Sequence, residues 1–600
     1  MATQVSHPLL EVTNPVQPPY WALLERELLR AQSLACQEFF SRYFDDRGYL
    51  LCVPRWGGDD GPDDAAENLL NWPILHALGA PDVILDLYHR GWEGHLRQYT
   101  EARTVDVPMA RDGMYYKEFP VMFDWFHHGE SYSVIVLQGL SDPYDRKLRE
   151  RMQRYSGFYM GEDPQAPNWD PEHKIIRSMF NGSRGPLLRK ATGLDWAGDP
   201  IEIEGRFGAL HGERNYQQMV EHFKDYNDVA GDHPLNLGAT SLAFCAYALT
   251  GVTKYRDWVI EYVDAWAERT AANGGLIPSN IGLDGTIGGE CDGKWYGGVY
   301  GWGFSVMDPA TGKIAHRPSF YTRCPYGFGN ALLLTGDMRY VDVWRTVITK
   351  VRENARVIDG QLMYPYSYGD EGWYNWRPEP FSPGALEVYY WSMDPADRER
   401  IPTSERPSSV EFGGRHQPSQ WLAYLEGDRP DYPVEALSHD LAMVRHKMEL
   451  MRADTTTPDT RLSDNMNHIN PATTDALIQL MLGGLPTGRV GYPLHCRVRY
   501  FDPIKRRSGI PEDVAALVEN MTADDVTLTM VNTNQVEERM LIIQGGAYAE
   551  HQIWDVTADG QTFHVDGSCF ALRLAPGAGG RLQLRMKRYA GQPTLAFPWV

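Results

Sequence analysis

Gly327-Phe328-Gly329-Asn330-Ala331-Leu332-Leu333-Leu334-Thr335-Gly336-Asp337, followed by Tyr340 and Asp342, is the stretch that decides the fold. An apolar run ends in leucine, a glycine suited to the left-handed closing position follows, and an aspartate opens a more polar run with helical spacing. The same wording recurs at Leu78-Gly79-Ala80-Pro81-Asp82, Leu140-Ser141-Asp142-Pro143, Leu249-Thr250-Gly251 and Leu425-Glu426-Gly427-Asp428. Each copy reads as an αα-hairpin with a short turn.

One hairpin cannot bury its own apolar face, so a repeated set must stack or close into a ring. First helices such as Leu235 to Leu249 are apolar nearly all round, which predicts burial on every side. Second helices such as Tyr255 to Arg269 carry one apolar stripe and charges elsewhere, which predicts an outer layer. A sixth pair is expected from the two ends of the region, the inner-type helix near Pro471 to Leu482 against the amphipathic helix Trp21 to Tyr43. Six inner helices within six outer ones make a mainly α fold, an (α/α)6 toroid, over residues 1–500. Beyond about residue 490, runs such as Asp525 to Asn532 and Arg581 to Met586 alternate β-formers between Gly, Asn and Asp turns. They predict a small antiparallel β-sandwich over 515–600, first of all a structural cap on the toroid and otherwise a carbohydrate-binding module.

Turns from inner to outer helices take a few residues. The return connections are long, roughly 100–122, 160–233, 273–319, 357–385 and 453–469, and loops of that length usually carry function. In a ring they share one rim, at the N-terminal ends of the inner helices. That rim is the expected working face.

Composition narrows the partners. A net charge of −22 argues against nucleic acid, whose phosphates need a basic surface. No stretch approaches the roughly 20 apolar residues of a membrane span. The opening Met1 to Pro8 lacks a signal pattern, so a cytoplasmic location is expected. Seven cysteines without CxxC spacing fit reduced thiols. Oligomeric state stays open, a homo-oligomer included.

Chemistry is expected from the loops. Asn273 to Phe304 holds eleven glycines, which let backbone approach a ligand closely, interleaved with Lys294, Trp295, Tyr296 and Trp302, flat faces on which sugar rings stack. Its carboxylates are Asp284, Glu290 and Asp292; glycoside hydrolysis needs an acid and a base or nucleophile, and Glu290 is the least turn-like of the three. The alternative is that the aspartates merely cap turns. A second loop, Tyr364 to Arg377, repeats aromatics around Asp370 and Glu371, with Trp373, and reads as another wall of the cleft or as rim packing.

Inner-helix starts add polar groups where a core would be apolar: Asp124, His127 and His128; His233 and Asn236; Tyr321 and Arg323; and His468 beside Asn465 and Asn470. Unpaired buried polar groups cost about 1–3 kcal/mol each, so a set of them suggests a polar funnel. There is no HExxH, phosphate loop, nucleophile elbow or dinucleotide fingerprint, and no cofactor is expected; a metal held by converging histidines is the residual alternative.

The hairpin order, short inner turns, aromatic glycine-rich loops and terminal β-domain resemble the six-hairpin carbohydrate-active enzymes, with the β-glucuronidase-like hydrolases as the nearest type. The resemblance covers the architecture of the whole chain and no catalytic motif. It implies an oligosaccharide substrate, with uronic acid, and a hydrolase in which Glu290 pairs with Asp284, Asp292 or Asp124 while Arg323, Lys294 or a histidine holds a carboxylate. It also implies two alternatives, a lyase using Tyr321, His233, Asn236 and Arg323, and a sugar epimerase using two histidines. A sugar-binding protein without catalysis is the non-enzymatic reading.

Overall fold

The computed structural model describes residues 7–54, 62–101, 134–162, 168–177, 231–289, 291–297, 302, 305–307, 314–316, 320–402, 418–487 and 492–599. Its inner helices are α2 (Trp72–Leu78), α4 (Gln138–Ser141), α6 (Thr240–Thr250), α8 (Phe320–Thr335), α12 (Pro418–Leu425) and α14 (Asp475–Leu482); the outer partners that follow or close them are α3 (Val83–Glu101), α5 (Arg146–Tyr159), α7 (Thr253–Ala272), α9 (Arg339–Arg352), α13 (Tyr432–Ala453) and α1 (Tyr20–Tyr43). Residues Thr240 to Leu249 of α6 are all buried, as an all-round apolar helix requires. The ends meet as expected: α1 packs on α13, α13 on α14, and the Thr473 amide donates to Gln32 Oε1 at 2.8 Å just before α14 begins.

The ring holds one more hairpin than the repeated turns announce. α10 (Ala385–Ser392) and the single-turn α11 (Pro395–Arg398) stand between α9 and α12. Tyr390 of α10 stacks on Trp421 of α12 at 6.5 Å, and Asp397 of α11 takes a bidentate bond from Arg345 of α9 at 2.6–3.1 Å. The expected count of six thus becomes, among the described residues, six hairpins and one more whose outer helix is a single turn. Met393 in left-handed conformation closes α10 where the other turns mostly use glycine.

Two five-stranded sheets follow. One orders β1 (Leu9–Val12), β9 (Cys569–Leu574), β6 (Arg539–Gly545), β2 (Val498–Asp502) and β3 (Arg507–Ser508); the other orders β4 (Val514–Met521), β5 (Asp525–Asn532), β10 (Gly579–Lys587), β7 (Gln552–Ala558) and β8 (Gln561–Gly567). Strand pairing therefore starts at Val498, upstream of the expected 515, and takes in an N-terminal strand that runs parallel to β9, Leu9 opposite Ala571. The other pairings in these two sheets are antiparallel.

This β-unit and its C-terminal tail meet the ring at the C-terminal ends of its inner helices. The last carbonyls of a helix lack intrahelical donors and carry the negative end of its dipole. Arg507 donates to His76 O in the last turn of α2 at 3.1 Å, Arg499 to Leu140 O of α4, the Leu595 amide to Ala248 O of α6 at 2.9 Å, and Asn520 to Leu425 O of α12 at 2.7 Å. Arg588 takes three carbonyls at the end of α10, Tyr390, Trp391 and Ser392, at 2.8–3.2 Å, and Tyr500 takes Met481 O of α14 at 2.7 Å. After α8, Gly336 (φ 69°) lies directly against the Tyr589 carbonyl. The β-unit thus covers the short-turn face of the ring. Among the described residues no helix is long and apolar enough to cross a membrane, and all seven cysteines are free thiols.

Candidate functional site

The glycine-rich loop is anchored to an inner-helix start. Asp232 and Ile281 exchange backbone hydrogen bonds at 2.8 and 2.9 Å, which ties the loop to the 3-10 turn Pro234–Ala239 that leads into α6. Asp232, fully buried, accepts from the His233 amide, Asn236 Nδ2, Tyr262 OH and the Ile176 amide at 2.8–3.2 Å. Burial pushes its carboxyl up to about 6 against the pull of Arg269 and these donors. Four donors on one carboxylate make Asp232 the fastener of this corner. His233 is buried with Nδ1 accepting from the Leu235 amide at 3.2 Å, so it caps the turn.

Within the loop, Asp284 is exposed and its Oδ1 accepts from Thr286 N and Oγ1 at 3.0 and 2.6 Å, a turn cap that holds the carboxyl below its ordinary range. Asp292 is exposed at φ 53°, a left-handed turn position. Both aspartates shape the loop. Glu290 lies outside the described residues, as do Asp124, His127 and His128, and the side chains of Tyr321 and Arg323 are outside them too.

The two aromatic loops pack on each other. Trp295 lies 4.8 Å from Tyr368 and 5.8 Å from Trp302, Tyr296 5.1 Å from Tyr368, and Trp373 4.9 Å from Tyr368 and 5.9 Å from Trp302. Trp302 is buried and donates to Ile277 O at 2.6 Å, so it is a packing residue of this wall. Asp370 clasps both Lys294 at 2.8 Å and Tyr296 OH at 2.8 Å across the loops. Lys294 is therefore spent on a partner, and Glu371 is exposed beside it at the tip of the strand pair Ser367–Gly369 and Gly372–Tyr374. His468 is exposed. Among the described residues no group of His, Cys, Asp and Glu is arranged to hold a metal.

The interior carboxyl that residue spacing did not point to is Glu387. It stands in the first turn of α10, half-buried, where the second aromatic loop runs into the helix. Tyr326 of α8 donates to its Oε1 at 3.3 Å. Burial raises the Glu387 carboxyl above its ordinary value, and the Tyr326 bond only partly offsets this. Tyr326 stacks on Tyr492 with centroids 3.4 Å apart and lies 6.4 Å from His495. One turn further along α8, Asn330 donates to Thr240 Oγ1 at 2.9 Å and Ser241 Oγ at 3.2 Å of α6, while its Oδ1 has no hydrogen-bond partner. Glu387 thus sits beside a tyrosine hydroxyl in the first turn of α10. Its acid is held protonated to higher pH than a surface glutamate.

Two solved structures share a weak likeness. A cellobiose 2-epimerase from Bacillus thermoamylovorans B4167 aligns with 58% of this chain and 92% of its own length at 12% identity and a TM-score of 0.24. A GH127 β-L-arabinofuranosidase, Ara127N-Se, from Geobacillus stearothermophilus T6 aligns with 95% of this chain and 81% of its own at 10% identity and a TM-score of 0.25. No curated protein matches. A family model described as a domain of unknown function, DUF8034, matches residues 10–361 and 354–478, and the chain belongs to that family.

Proposed function

We propose that the loop face is a glycoside hydrolase site in which Glu387 is the general acid. The observation that carries this reading is a half-buried carboxyl with a raised proton affinity, in the first turn of an inner helix, touched by one tyrosine hydroxyl. A general acid works best when it keeps its proton near the operating pH. Glu387 gives its proton to the glycosidic oxygen as the C1–O bond breaks. Water adds at C1 and yields its proton to a second carboxylate, for which Glu290 of the glycine-rich loop is the proposed group. Tyr296 and Trp373 supply half-buried aromatic faces for sugar rings, and Arg377, poised 4.3 Å over the Tyr366 ring, is a cation that a uronate carboxylate could meet.

A lyase is the second reading, favoured by the contact between the Tyr326 hydroxyl and Glu387. There Tyr326, as the tyrosinate after losing its proton to solvent, removes the proton alpha to a uronate carboxyl; the C=C forms as the C–O bond to the leaving group breaks, and Tyr326 hands that proton to the leaving oxygen. Incubation with neutral and uronic-acid oligosaccharides, read by reducing ends and by ultraviolet absorbance of the conjugated C=C, separates the two. Under the hydrolase reading Glu387→Gln keeps oligosaccharide binding and lowers kcat by about 10²–10⁴-fold. Unchanged turnover in that variant removes Glu387 from the site, and new absorbance without Glu387 dependence favours elimination.

A further inference from the structure

Arg497 lies at the junction of ring and β-unit, fully buried, and none of its three guanidinium nitrogens has a hydrogen-bond partner. Its backbone is fixed by the amide bond to Leu482 O at 3.0 Å, and its guanidinium stands 5.0 Å over the Tyr390 ring. A cation–π contact returns only part of the cost of removing a guanidinium from water. Deprotonation does not relieve the cost: burial, helped by Arg588, pulls Arg497 down to about 10, still cationic at neutral pH.

The surroundings are rich in donors. His495, also buried, accepts from Trp391 Nε1 through Nδ1 at 3.1 Å, and an indole can only donate, so the imidazole proton is on Nε2. That N–H has no partner either. Arg588, the charge that bears most on Arg497, is already saturated by the carbonyls of Tyr390, Trp391 and Ser392. His551 feels both arginines and His495, and burial keeps it neutral. The carboxylate of this region, Glu550, accepts the Tyr548 amide at 2.7 Å through Oε2 and acts on Arg499, while its Oε1 lies 3.8 Å from His551 Nε2 with no hydrogen bond. Among the described residues Arg497 forms no ion pair, and a buried cation ordinarily has one.

We propose that a small monovalent inorganic anion, with the size and charge of chloride, is bound against the Arg497 guanidinium at the ring–sandwich junction and locks the two units together. A halide accepts several hydrogen bonds without needing a donor in return, which suits the unpartnered N–H groups of Arg497 and His495. The ligand is structural, at the C-terminal end of α10 one turn beyond Glu387, and the inference does not depend on the hydrolase reading.

The test follows thermal unfolding of the full chain in sodium chloride against sodium gluconate at constant ionic strength. Linkage predicts a midpoint that climbs with log chloride, by about a degree or more per tenfold, and stays flat in gluconate. Arg497→Met abolishes the difference. Should that variant fail to fold, crystals of the unaltered protein soaked in bromide decide: an anomalous peak within hydrogen-bonding distance of Arg497 supports the site. Equal responses to the two salts, or a peak-free site filled by ordered water, overturn it.

Discussion

Gly336→Ala measures how tightly the β-unit holds the short-turn face, because Gly251 supplies a matched control. Both glycines follow inner helices, and both have φ 69°. A Cβ at Gly251 meets nothing within 4 Å, whereas one at Gly336 runs into the Tyr589 carbonyl oxygen. The left-handed penalty, about 1 kcal/mol for alanine, applies to both. At Gly336 the carbonyl must also retreat by about 1 Å to reach an ordinary C···O separation of about 3.3 Å, and such overpacking costs about 1–3 kcal/mol. Gly251→Ala is thus expected to lose about 1 kcal/mol and Gly336→Ala about 2–4 kcal/mol. Urea unfolding followed by circular dichroism and tryptophan fluorescence reads both, the fluorescence separating ring from β-unit if they part first. Losses within about 0.5 kcal/mol of each other, near the limit of additivity for single sites, refute the seating of the β-unit on this face.

Three further outcomes follow from particular contacts. Tyr326→Phe removes a donor to the ionised Glu387 carboxylate; the Glu387 pKa rises further, and the alkaline limb of the activity profile moves to higher pH, which a pH–kcat/KM series reads. Glu25 is buried against the Ala516 amide at 3.1 Å, with Oε2 unpartnered, and burial raises it from 4.5 to about 8. A folded-state value above the unfolded one gives stability that is full below about pH 4.5 and is lost as pH rises through 8, so Glu25→Gln flattens a loss of the order of a few kcal/mol in denaturant midpoints taken across that window. Asp397→Ala strands Arg345 and Arg400 at the abbreviated hairpin and costs about 2–3 kcal/mol by urea unfolding; Asp342→Ala, which removes an exposed partner of the same Arg345, costs under about 1 kcal/mol.

The ring was legible because its signals are local. Glycine after a leucine-rich run and an aspartate beyond it fix both ends of a helix within a few residues, and all-round apolarity separates inner from outer helices. Two parts were not legible for the same reason inverted. α10 closes through Met393 in place of the glycine that marks most of the other turns, and its partner α11 lasts four residues, too short for a helical period to stand out. Leu9–Val12 joins a sheet with Ala571–Leu574, a pairing across nearly the whole chain that no local pattern encodes.

The candidate site divides along the same line. Carboxylates in a glycine-rich aromatic loop attract attention by density, yet Asp284 spends its oxygens on Thr286 and Asp292 occupies a left-handed turn, so loop composition marks the rim and its shape. Glu387 is surrounded in sequence by Ala385, Leu386 and Val388, the setting of an ordinary core helix. A charged residue in that setting has to be neutral, paired or facing a cavity. Here one tyrosine hydroxyl meets it and a raised proton affinity accounts for the rest. The mismatch of a lone glutamate in an apolar first turn was the available signal, and it points to chemistry more directly than a cluster of turn-capping aspartates, because burial makes Glu387 hold its proton to higher pH whereas turn-capping makes Asp284 release its proton sooner.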